Sequence, residues 1–157
     1  MSRGPEHIVG VISDTHGLIR PEAIAALAGV ERIIHAGDVG GPEVLAALAA
    51  VAPVIAVRGN NDAGSWAARL RETEDVTIAG ARIHVLHDLK TLAIAPGAAG
   101  FAAVIAGHSH RPSVTERDGV LHLNPGSAGP RRFKLPIAVA KLFVKAGRVR
   151  AEIVPIG

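Results

Sequence analysis

Short apolar runs alternate with helical patterns over the first 60 residues of the chain. Residues 7–13, 32–35 and 54–57 are apolar runs rich in β-branched side chains. Between these runs, Pro21 and Pro42 each begin a segment in which apolar residues recur every three or four positions, with a glutamate in the first turn. That spacing is typical of an amphipathic helix. Strands that are apolar almost throughout and alternate with helices predict a parallel sheet that is covered on both faces.

After a further short helix, predicted to contain Trp66 and Leu70, the pattern changes to pairs of strands joined by tight turns. The strands of each pair are separated by a dipeptide that contains glycine: Gly80-Ala81, Asp118-Gly119 and Ala146-Gly147. Such dipeptides between apolar runs indicate β-hairpins. The sequence therefore predicts an α/β architecture, with two packed sheets and helices outside them.

Length and composition exclude several kinds of function. The 157 residues show no linker, so we expect one domain, residues 1–157, with a substantial core. The absence of cysteine excludes disulfides, thiolate metal ligands and a cysteine nucleophile. A net charge of +3, with no basic run and few aromatic residues, gives no indication of a nucleic-acid partner and no support for a nuclease. No apolar stretch suits a signal peptide or a membrane span, which predicts a cytoplasmic protein without a membrane partner.

Two histidines follow a predicted strand at residues 102–106. Gly107 ends this apolar run, and His108 and His110 come next, two positions apart. In extended backbone this spacing directs both imidazoles to the same side, and glycine allows the backbone to approach a ligand closely. The pair suits a metal site, although two solvated loop histidines would give the same local pattern.

Polar residues also follow the other predicted strands, where sites form in parallel sheets. Together the strand ends supply two carboxylates, four imidazoles and one amide: Asp14, His16, Asp38, Asn60, His87, His108 and His110. Seven nitrogen and oxygen donors exceed the needs of one zinc-type site and suit two adjacent divalent cations that share a carboxylate. Without metal, so many buried polar groups would be costly to satisfy.

The order of these motifs resembles that of the calcineurin-like metallophosphoesterases. D-x-H, G-D, G-N-x-D, H and G-H-x-H occur in the family's order, and the match covers almost the whole chain. Three further segments are similar to the small bacterial and archaeal phosphodiesterases of that family: residues 35–38 (HAGD), 57–60 (VRGN) and 124–127 (NPGS). The vacuolar-sorting subunit of retromer is similar to this branch. The resemblance implies a four-layer αββα sandwich of two mixed sheets flanked by helices.

The resemblance also implies how two divalent ions are held. The first would be bound by Asp14, His16, Asp38 and His110, and the second by Asp38, Asn60, His87 and His108, with Asp38 as the bridge. Manganese is the usual metal in this branch, and iron, nickel and zinc are alternatives that the sequence leaves open. The implied reaction is the hydrolysis of a small phosphodiester by direct in-line attack of a metal-bridging hydroxide. A homo-oligomer is compatible with the sequence.

Several residues beside these motifs are candidates for supporting roles. Asp62 is expected either to orient the neighbouring ligands or to cap the helix predicted near Ser65. Arginine matches the geometry of phosphate, so three loop arginines are candidates for substrate contact, although such residues are more often solvated: Arg58, Arg131 and Arg132. The remaining histidines are expected to be structural or ordinary strand residues: His7, His35, His84 and His122.

Two departures from the family pattern bear on catalysis. Asn61 stands where the wider family has a histidine, and Asp88 follows His87 where a glycine is usual. Asn61 is expected to face the substrate, but an amide cannot deliver a proton near neutral pH. Asp88 would crowd or recharge the rim of the site. The alternative function is therefore a weakly catalytic or non-catalytic metal-binding scaffold of the same fold, although the complete ligand set favours an enzyme.

Overall fold

The computed structural model describes residues 5–131 and 134–157. Within them the chain forms ten β-strands and two short α-helices. In chain order these elements are β1 (His7–Ile12), α1 (Pro21–Ala26), β2 (Arg32–His35), α2 (Pro42–Ala49), β3 (Val54–Ala56), β4 (Thr73–Ile78), β5 (Ala81–Leu86), β6 (Ala103–Ile105), β7 (Ser113–Arg117), β8 (Val120–Asn124), β9 (Ala138–Lys145) and β10 (Arg148–Pro155). None of the described helices is long and apolar enough to cross a membrane.

The strands form two five-stranded mixed sheets, as predicted. The first sheet has the order β10-β9-β1-β2-β3, in which β1, β2 and β3 pair in parallel and β9 pairs antiparallel with both β1 and β10. The second has the order β4-β5-β6-β8-β7, in which β5, β6 and β8 are parallel and both edge strands are antiparallel. Each sheet therefore has three parallel strands whose carboxyl ends meet at one edge, which is where sites form in such sheets.

The main core lies between the two sheets. Val11 of β1 and Leu142 of β9 are fully buried there against Ile83 of β5 and Ile105 of β6. A second apolar cluster fills the space between the first sheet and the two helices, where Leu27 and Leu48 are fully buried among side chains of β1 and β2. Burial of one such side chain contributes about 1.5–3 kcal/mol. These two clusters fix the strand ends that carry the polar loops.

The outer face of the second sheet carries a thinner layer. A 3₁₀ turn, Leu89–Thr91, packs with Leu92 on a small cluster that contains Leu86, Val104 and Val120. In the described chain, no α-helix lies between β4 and β9, so the helical layer expected on this face is represented by that turn. Part of the outer face of β7 and β8 is consequently left open.

Two local predictions were wrong. The first hairpin turns at Ala79-Gly80 instead of Gly80-Ala81: both turn residues have positive φ (47° and 83°), as a type I′ turn requires, and glycine takes the second position as it does in the other two hairpins. The segment expected to be a helix containing Trp66 and Leu70 is a single 3₁₀ turn, Ala67–Arg69, with both residues outside it. The chain is already extended at Leu70, because it enters β4 three residues later.

His35 joins the loops that follow β1 and β2. Its Nε2 lies 3.0 Å from Oγ1 of Thr15, and that hydroxyl donates to the carbonyl of Val39, so the imidazole is the donor in the first contact. The N–H of Gly37 donates to Nδ1 of the same ring. The neutral imidazole thus uses both nitrogens, and burial is the main cause that lowers the pKa of His35 from 6.5 to about 3. These contacts confirm the structural role predicted for His35.

Two other histidines behave as the strand residues that the sequence predicted. His7 lies 2.7 Å from the carboxylate of Glu31, and His84 lies 2.7 Å from that of Asp75. Neither histidine lines the cleft that is described below.

The substitution His35→Gln should make the metal-free fold less sensitive to acid. Between about pH 6.5 and pH 3 the unfolded chain holds a proton on residue 35 that the folded chain lacks, so the free energy of unfolding falls as the pH falls, by about 1.4 kcal/mol per pH unit for a full proton. Glutamine can donate and accept hydrogen bonds but does not titrate. Urea denaturation in EDTA at several pH values should therefore give a slope that is smaller by nearly one proton in the variant.

Denaturation at about pH 8, where residue 35 is neutral in both states, measures how well glutamine fits the site and corrects for any loss of packing. Equal slopes for the two proteins in acid would show that His35 becomes protonated in the folded state, against the hydrogen-bond pattern.

Candidate metal centre

The seven predicted ligands lie in loops that follow parallel strands of both sheets. These are Asp14 and His16 after β1, Asp38 after β2, Asn60 after β3, His87 after β5, and His108 and His110 after β6. Because the two sheets pack face to face, the carboxyl ends of their parallel strands form one edge of the molecule. Residues that are up to 96 positions apart in sequence are therefore brought together.

The carboxylate of Asp14 is fully buried and has two different oxygens. Oδ2 accepts hydrogen bonds from the hydroxyl of Ser13 (2.6 Å) and the N–H of His108 (3.1 Å). Oδ1 has no hydrogen-bond partner among the described residues. A buried carboxylate oxygen without a donor is costly, so its surroundings decide what it is for.

Three imidazoles face that oxygen. Nε2 of His110 lies 3.3 Å from Oδ1 of Asp14, and Nε2 of His16 and Nε2 of His87 each lie 3.8 Å from it. Three imidazole nitrogens thus lie close to one carboxylate oxygen, and all four atoms are potential ligands of a cation.

Asp38 and His87 form the other side of the centre. Nδ1 of His87 donates to the carbonyl of Ala36 (2.8 Å), which directs Nε2 toward the carboxylates. Nε2 lies 3.3 Å from Oδ2 of Asp38, without a hydrogen bond of acceptable geometry. Burial would lower the pKa of His87, but the Asp38 carboxylate, the Ala36 carbonyl and Asp14 together raise it. Burial would likewise raise the pKa of Asp38, but His87 and the N–H of Asn61 lower it to about 2.

These contacts produce two overlapping groups of ligand atoms. One group is Asp14, His16 and His110, and the other is Asp14, Asp38 and His87; within each group the ligand atoms lie within 4.8 Å of one another. Carboxylate oxygen and imidazole nitrogen are the donors that divalent first-row cations take in proteins without cysteine. The unpartnered Oδ1 of Asp14 and Nε2 of His87 are the atoms that a cation would satisfy, so the residues fit a divalent metal.

Asn60 and His108 lie beside these groups at more exposed positions. Nδ1 of His108 is 3.2 Å from Oδ1 of Asn60, and the His108 ring lies 5.2 Å from that of His87. On the other side, Nε2 of His108 is 3.8 Å from Oδ2 of Asp88. A carboxylate next to the outer nitrogen orients an imidazole ligand and increases its basicity. Asp88, expected to alter the rim, is therefore placed to support His108.

Asp62 fastens two ligand-bearing loops together. Its buried carboxylate accepts hydrogen bonds from three backbone N–H groups, those of Gly59 (2.8 Å), Gly40 (3.0 Å) and Val39 (3.2 Å). The 3₁₀ turn that follows begins without a side-chain cap. Of the two roles considered for Asp62, the structure thus shows the orienting contacts and not the cap.

A cleft of about 360 Å³ opens above the ligands. Asn61 lies at its mouth, where its N–H donates to Oδ1 of Asp38 (2.8 Å) and its side-chain Nδ2 donates to Oδ2 (3.1 Å). Arg131 also lines the cleft. Both residues are exposed, so they can meet a substrate that enters from solvent.

The contacts of Arg58 do not support the prediction that it meets the substrate. Arg58 does not line the cleft, and its guanidinium pairs with the exposed Glu72 at 3.0 Å. The position of Arg58 explains this pairing. Its N–H donates to the carbonyl of Arg71 where the edges of the two sheets meet, so the residue belongs to that junction. Arg132 lies outside the described residues.

Five of the seven predicted ligands have left-handed backbone. Their φ angles are 56° for Asp14, 48° for His16, 56° for Asp38, 69° for His108 and 62° for His110. The other non-glycine residues with positive φ in the described chain lie in the three hairpin turns. Such a conformation costs roughly 1–2 kcal/mol per residue. The expectation that His108 and His110 project from an extended segment was therefore wrong, because the chain turns at Gly107, whose carbonyl accepts from the N–H of Ser109.

Two glycines let the backbone pass close to the carboxylates. A Cβ atom at Gly107 would collide with Oγ of Ser13 and lie 2.6 Å from Oδ2 of Asp14. A Cβ atom at Gly59 would collide with the N–H and the carboxylate of Asp38. The glycines of the G-H-x-H and G-N motifs are thus required by space.

The predicted site residues did not include two residues that hydrogen-bond to the ligand-bearing loops. Ser127 donates to the carbonyl of Asp14 (3.0 Å), and Nδ2 of Asn124 donates to the carbonyl of Gly107 (3.0 Å) and to Oγ of Ser109 (3.0 Å). The similarity of the NPGS segment, residues 124–127, to the small phosphodiesterases is the signal in the sequence that could have identified Asn124 and Ser127. The role of Ser127 depends on a loop 113 residues earlier in the chain, and that of Asn124 on a loop 15 to 17 residues earlier, and the sequence reveals neither contact.

Known proteins share this arrangement of sequence and fold. The family model of the calcineurin-like phosphoesterase superfamily domain matches residues 8–147. A probable metallophosphoesterase of Methanothermobacter thermautotrophicus is 35% identical over 161 aligned positions, which cover 96% of this chain and 93% of that protein. An archaeal phosphodiesterase of known structure superposes with a TM-score of 0.78 at 25% identity, covering 94% of this chain and 99% of its own. Vps29 of Entamoeba histolytica, in a structure with zinc, gives a TM-score of 0.73 at 25% identity, with 96% and 99% coverage.

The substitution Asp14→Asn should stabilise the metal-free protein and weaken its response to metal. The carbonyl of asparagine can keep the hydrogen bonds of Oδ2, while its NH₂ group takes the place of the unpartnered Oδ1 and donates to an imidazole nitrogen. We expect the free energy of unfolding in EDTA to rise by about 1–3 kcal/mol. Excess Mn²⁺ should raise the melting temperature of the wild type, since a bound ligand stabilises the folded state, and should raise that of the variant by less, because one of the two proposed ligand sets loses a carboxylate.

Asp118→Asn, the same chemical change in a hairpin turn, is the matched control and should leave the metal response intact. A variant that is less stable than the wild type in EDTA, or that still responds fully to Mn²⁺, would contradict the role assigned to Oδ1.

Proposed function

This chain belongs to the calcineurin-like phosphoesterase superfamily, and from that premise we propose that it is a phosphodiesterase that uses two divalent metal ions. The observation that carries the proposal is the buried Oδ1 of Asp14, which has no donor among the described residues and faces three imidazole nitrogens. A cleft open to solvent lies above these groups, so a phosphate ester can reach them.

The proposed ligand sets are those implied by the sequence. Asp14, His16, Asp38 and His110 hold one ion, and Asp38, Asn60, His87 and His108 hold the other. Two observations support Asp38 as the shared ligand. Its Oδ2 lies 3.8 Å from Nε2 of His16 in the first set and 3.3 Å from Nε2 of His87 in the second. Asp14 belongs to both groups of ligand atoms and is the competing candidate for the bridge. We propose manganese as the metal, with iron, nickel and zinc as the competitors.

The ions, when bound, supply an activated water for in-line attack and neutralise charge on the phosphoryl group. The chain itself supplies position and polarity. His87 and His108 are oriented from behind by the Ala36 carbonyl and by Asp88. Asn61 and Arg131, at the mouth of the cleft, are proposed to donate hydrogen bonds to the non-reacting phosphoryl oxygens.

Residue 61 also bears on substrate class. The amide of Asn61 cannot protonate a leaving alkoxide, so departure depends on the leaving group's own basicity. A diester carries one negative charge on its phosphate and a monoester carries up to two. With Arg131 as the cation among the described residues that line the cleft, the site suits the less charged diester.

A second candidate function is a metal-binding scaffold with little or no catalytic activity. The fold of this chain matches that of Vps29 as well as that of a phosphodiesterase, so the architecture alone does not favour an enzyme. Asn61 already donates its side-chain amide to Asp38, and a residue so engaged contributes less to turnover. A protein that binds its metals fully and turns over no phosphate ester would support this function.

The variant Asp38→Ala should lose both metal ions, because its carboxylate belongs to both proposed sites. Elemental analysis after loading with Mn²⁺ and removal of excess metal should find close to two ions per wild-type chain and close to none in the variant. Asp118→Asn serves again as the control and should retain both ions. One ion remaining in Asp38→Ala would mean that Asp38 is not the bridge, and a wild-type value near one would refute the dinuclear site.

Activated diesters should be hydrolysed faster than the matched monoesters. At saturating Mn²⁺, we expect kcat/KM for bis(p-nitrophenyl) phosphate to exceed that for p-nitrophenyl phosphate by at least about tenfold, the factor that corresponds to roughly 1.4 kcal/mol of transition-state stabilisation. Diesters with more basic phenols should react progressively more slowly, since no acid assists departure. Comparable monoester turnover, or rates independent of the leaving group, would argue against the proposed role of residue 61.

A further inference from the structure

A larger groove begins beside the metal centre and extends over the outer face of the second sheet. Its volume is about 690 Å³, nearly twice that of the cleft. His108 and Gly107 line its inner end, and the strands β6, β8 and β7 form its floor. The groove exists because the turn Leu89–Thr91 covers only part of this face. At the size of typical ligand pockets, it can hold a substantial part of a small molecule.

The inner end of the groove is fixed to the centre by hydrogen bonds. Asn124, at the end of β8, lines the groove and donates to the carbonyl of Gly107 and to Oγ of Ser109. Asp88 also lines the groove, and its Oδ2 lies 3.8 Å from Nε2 of His108. A phosphodiester bound at His108 can therefore place one of its two alcohols in the groove without any rearrangement of the loops.

Two cations line the groove without a counter-ion. Among the described residues, neither Arg117 nor Lys90 makes an ion pair or a side-chain hydrogen bond. Of the described residues that line the groove, Asp88 is the one that is acidic, and its Oδ1 already accepts from the N–H of Lys90. Beyond the metal end, the groove is therefore positively charged.

Arg117 lines the groove and lies on the same face of the sheet as Thr115 and His122. Arg117 pairs with Val120 in the register of β7 and β8, and Thr115 pairs with His122 two residues nearer to the centre. His122 is buried in the floor of the groove, and burial and the charge of Arg117 lower the pKa of its imidazole. His122 stays neutral at physiological pH and does not compete for an anion.

The strand register gives the distance between the cation and the centre. Ser113 pairs with Asn124 at the metal end, and Arg117 lies four residues further along β7, which is about 13 Å at 3.3–3.4 Å per residue. His122 lies two residues from Asn124 along β8, which is about 7 Å from the metal end on the same scale. An anion held by Arg117 would thus lie on the order of 10 Å from the metal end of the groove.

From this groove we infer the substrate class, on the basis of the proposed phosphodiesterase function. The substrates are phosphodiesters in which one alcohol bears a second anionic group, a phosphate or a carboxylate, that Arg117 and Lys90 bind while the reacting phosphate lies at the metal centre. Arginine suits such a group because its guanidinium can form two charge-assisted hydrogen bonds to one anion.

Two matched substrates test the inference. 6-Phosphohexyl p-nitrophenyl phosphate and 6-hydroxyhexyl p-nitrophenyl phosphate release the same phenolate and have the same spacer, so they differ in the terminal anion alone. With the manganese-loaded protein we expect kcat/KM to be about tenfold higher for the phosphorylated substrate, mainly through a lower KM. A third substrate that ends in a carboxylate distinguishes a site for anions in general from one for phosphate, and a gain with either charged substrate supports the inference.

Variants show where the preference arises. Arg117→Gln combined with Lys90→Gln should abolish the preference and leave kcat/KM for the hydroxyl substrate unchanged, because neither residue lines the cleft. Arg148→Gln combined with Lys145→Gln removes two positive charges from β10 and β9 of the other sheet and should keep the preference, which controls for the total charge of the protein. A preference that survives in the double variant would overturn the inference.

Binding of hexane-1,6-diyl bisphosphate, measured by calorimetry with the manganese-loaded protein, separates this inference from the proposed function. We expect the double variant to bind the bisphosphate about tenfold more weakly than the wild type, whether or not any diester is hydrolysed. If no substrate reacts but binding depends on Arg117 and Lys90, the groove is supported and the phosphodiesterase function fails. If the hydroxyl substrate reacts while binding and turnover ignore both residues, the groove inference alone fails.

Discussion

The rest of the site depends on one buried oxygen atom, Oδ1 of Asp14. It lies among the imidazoles of His16, His87 and His110 and receives no hydrogen bond within the described chain. A buried carboxylate oxygen without a donor destabilises a fold. The presence of such an oxygen among three imidazoles therefore indicates that the arrangement serves a cation. The left-handed backbone at five predicted ligands adds to the same cost. The metal-free chain therefore holds its ligands in place before any metal binds, at the expense of its own stability.

The stability that the centre lacks comes from the contacts immediately behind it. His35, Asp62, Ser127 and Asn124 use buried or partly buried side chains to join loops that leave different strands. In His35 and Asp62 the polar atoms that face the loops are satisfied, and such satisfied networks rigidify a site. The ligands thus combine incomplete hydrogen bonding with rigid support, which is the condition for a preorganised metal site.

The thin layer on the outer face of the second sheet connects architecture to substrate choice. A full helix there would cover β7 and β8, as α1 and α2 cover the first sheet. The short turn Leu89–Thr91 instead leaves a groove that opens directly at His108. In the function that we propose, the cleft receives the phosphate, and the groove with its unpaired cations selects the rest of the molecule.

Sequence and tertiary structure determined different parts of this account. The apolar runs predicted two packed sheets, the family resemblance implied that both are mixed, and the polar residues at the strand ends predicted the candidate ligands, because periodicity and strand-end chemistry are local properties. The left-handed backbone of His108, the pairing of Arg58 with Glu72, and the three N–H groups bound by Asp62 depended on contacts between distant segments. The unpartnered oxygen of Asp14 is also a tertiary property, because burial and the absence of a donor are set by every chain segment that surrounds the atom.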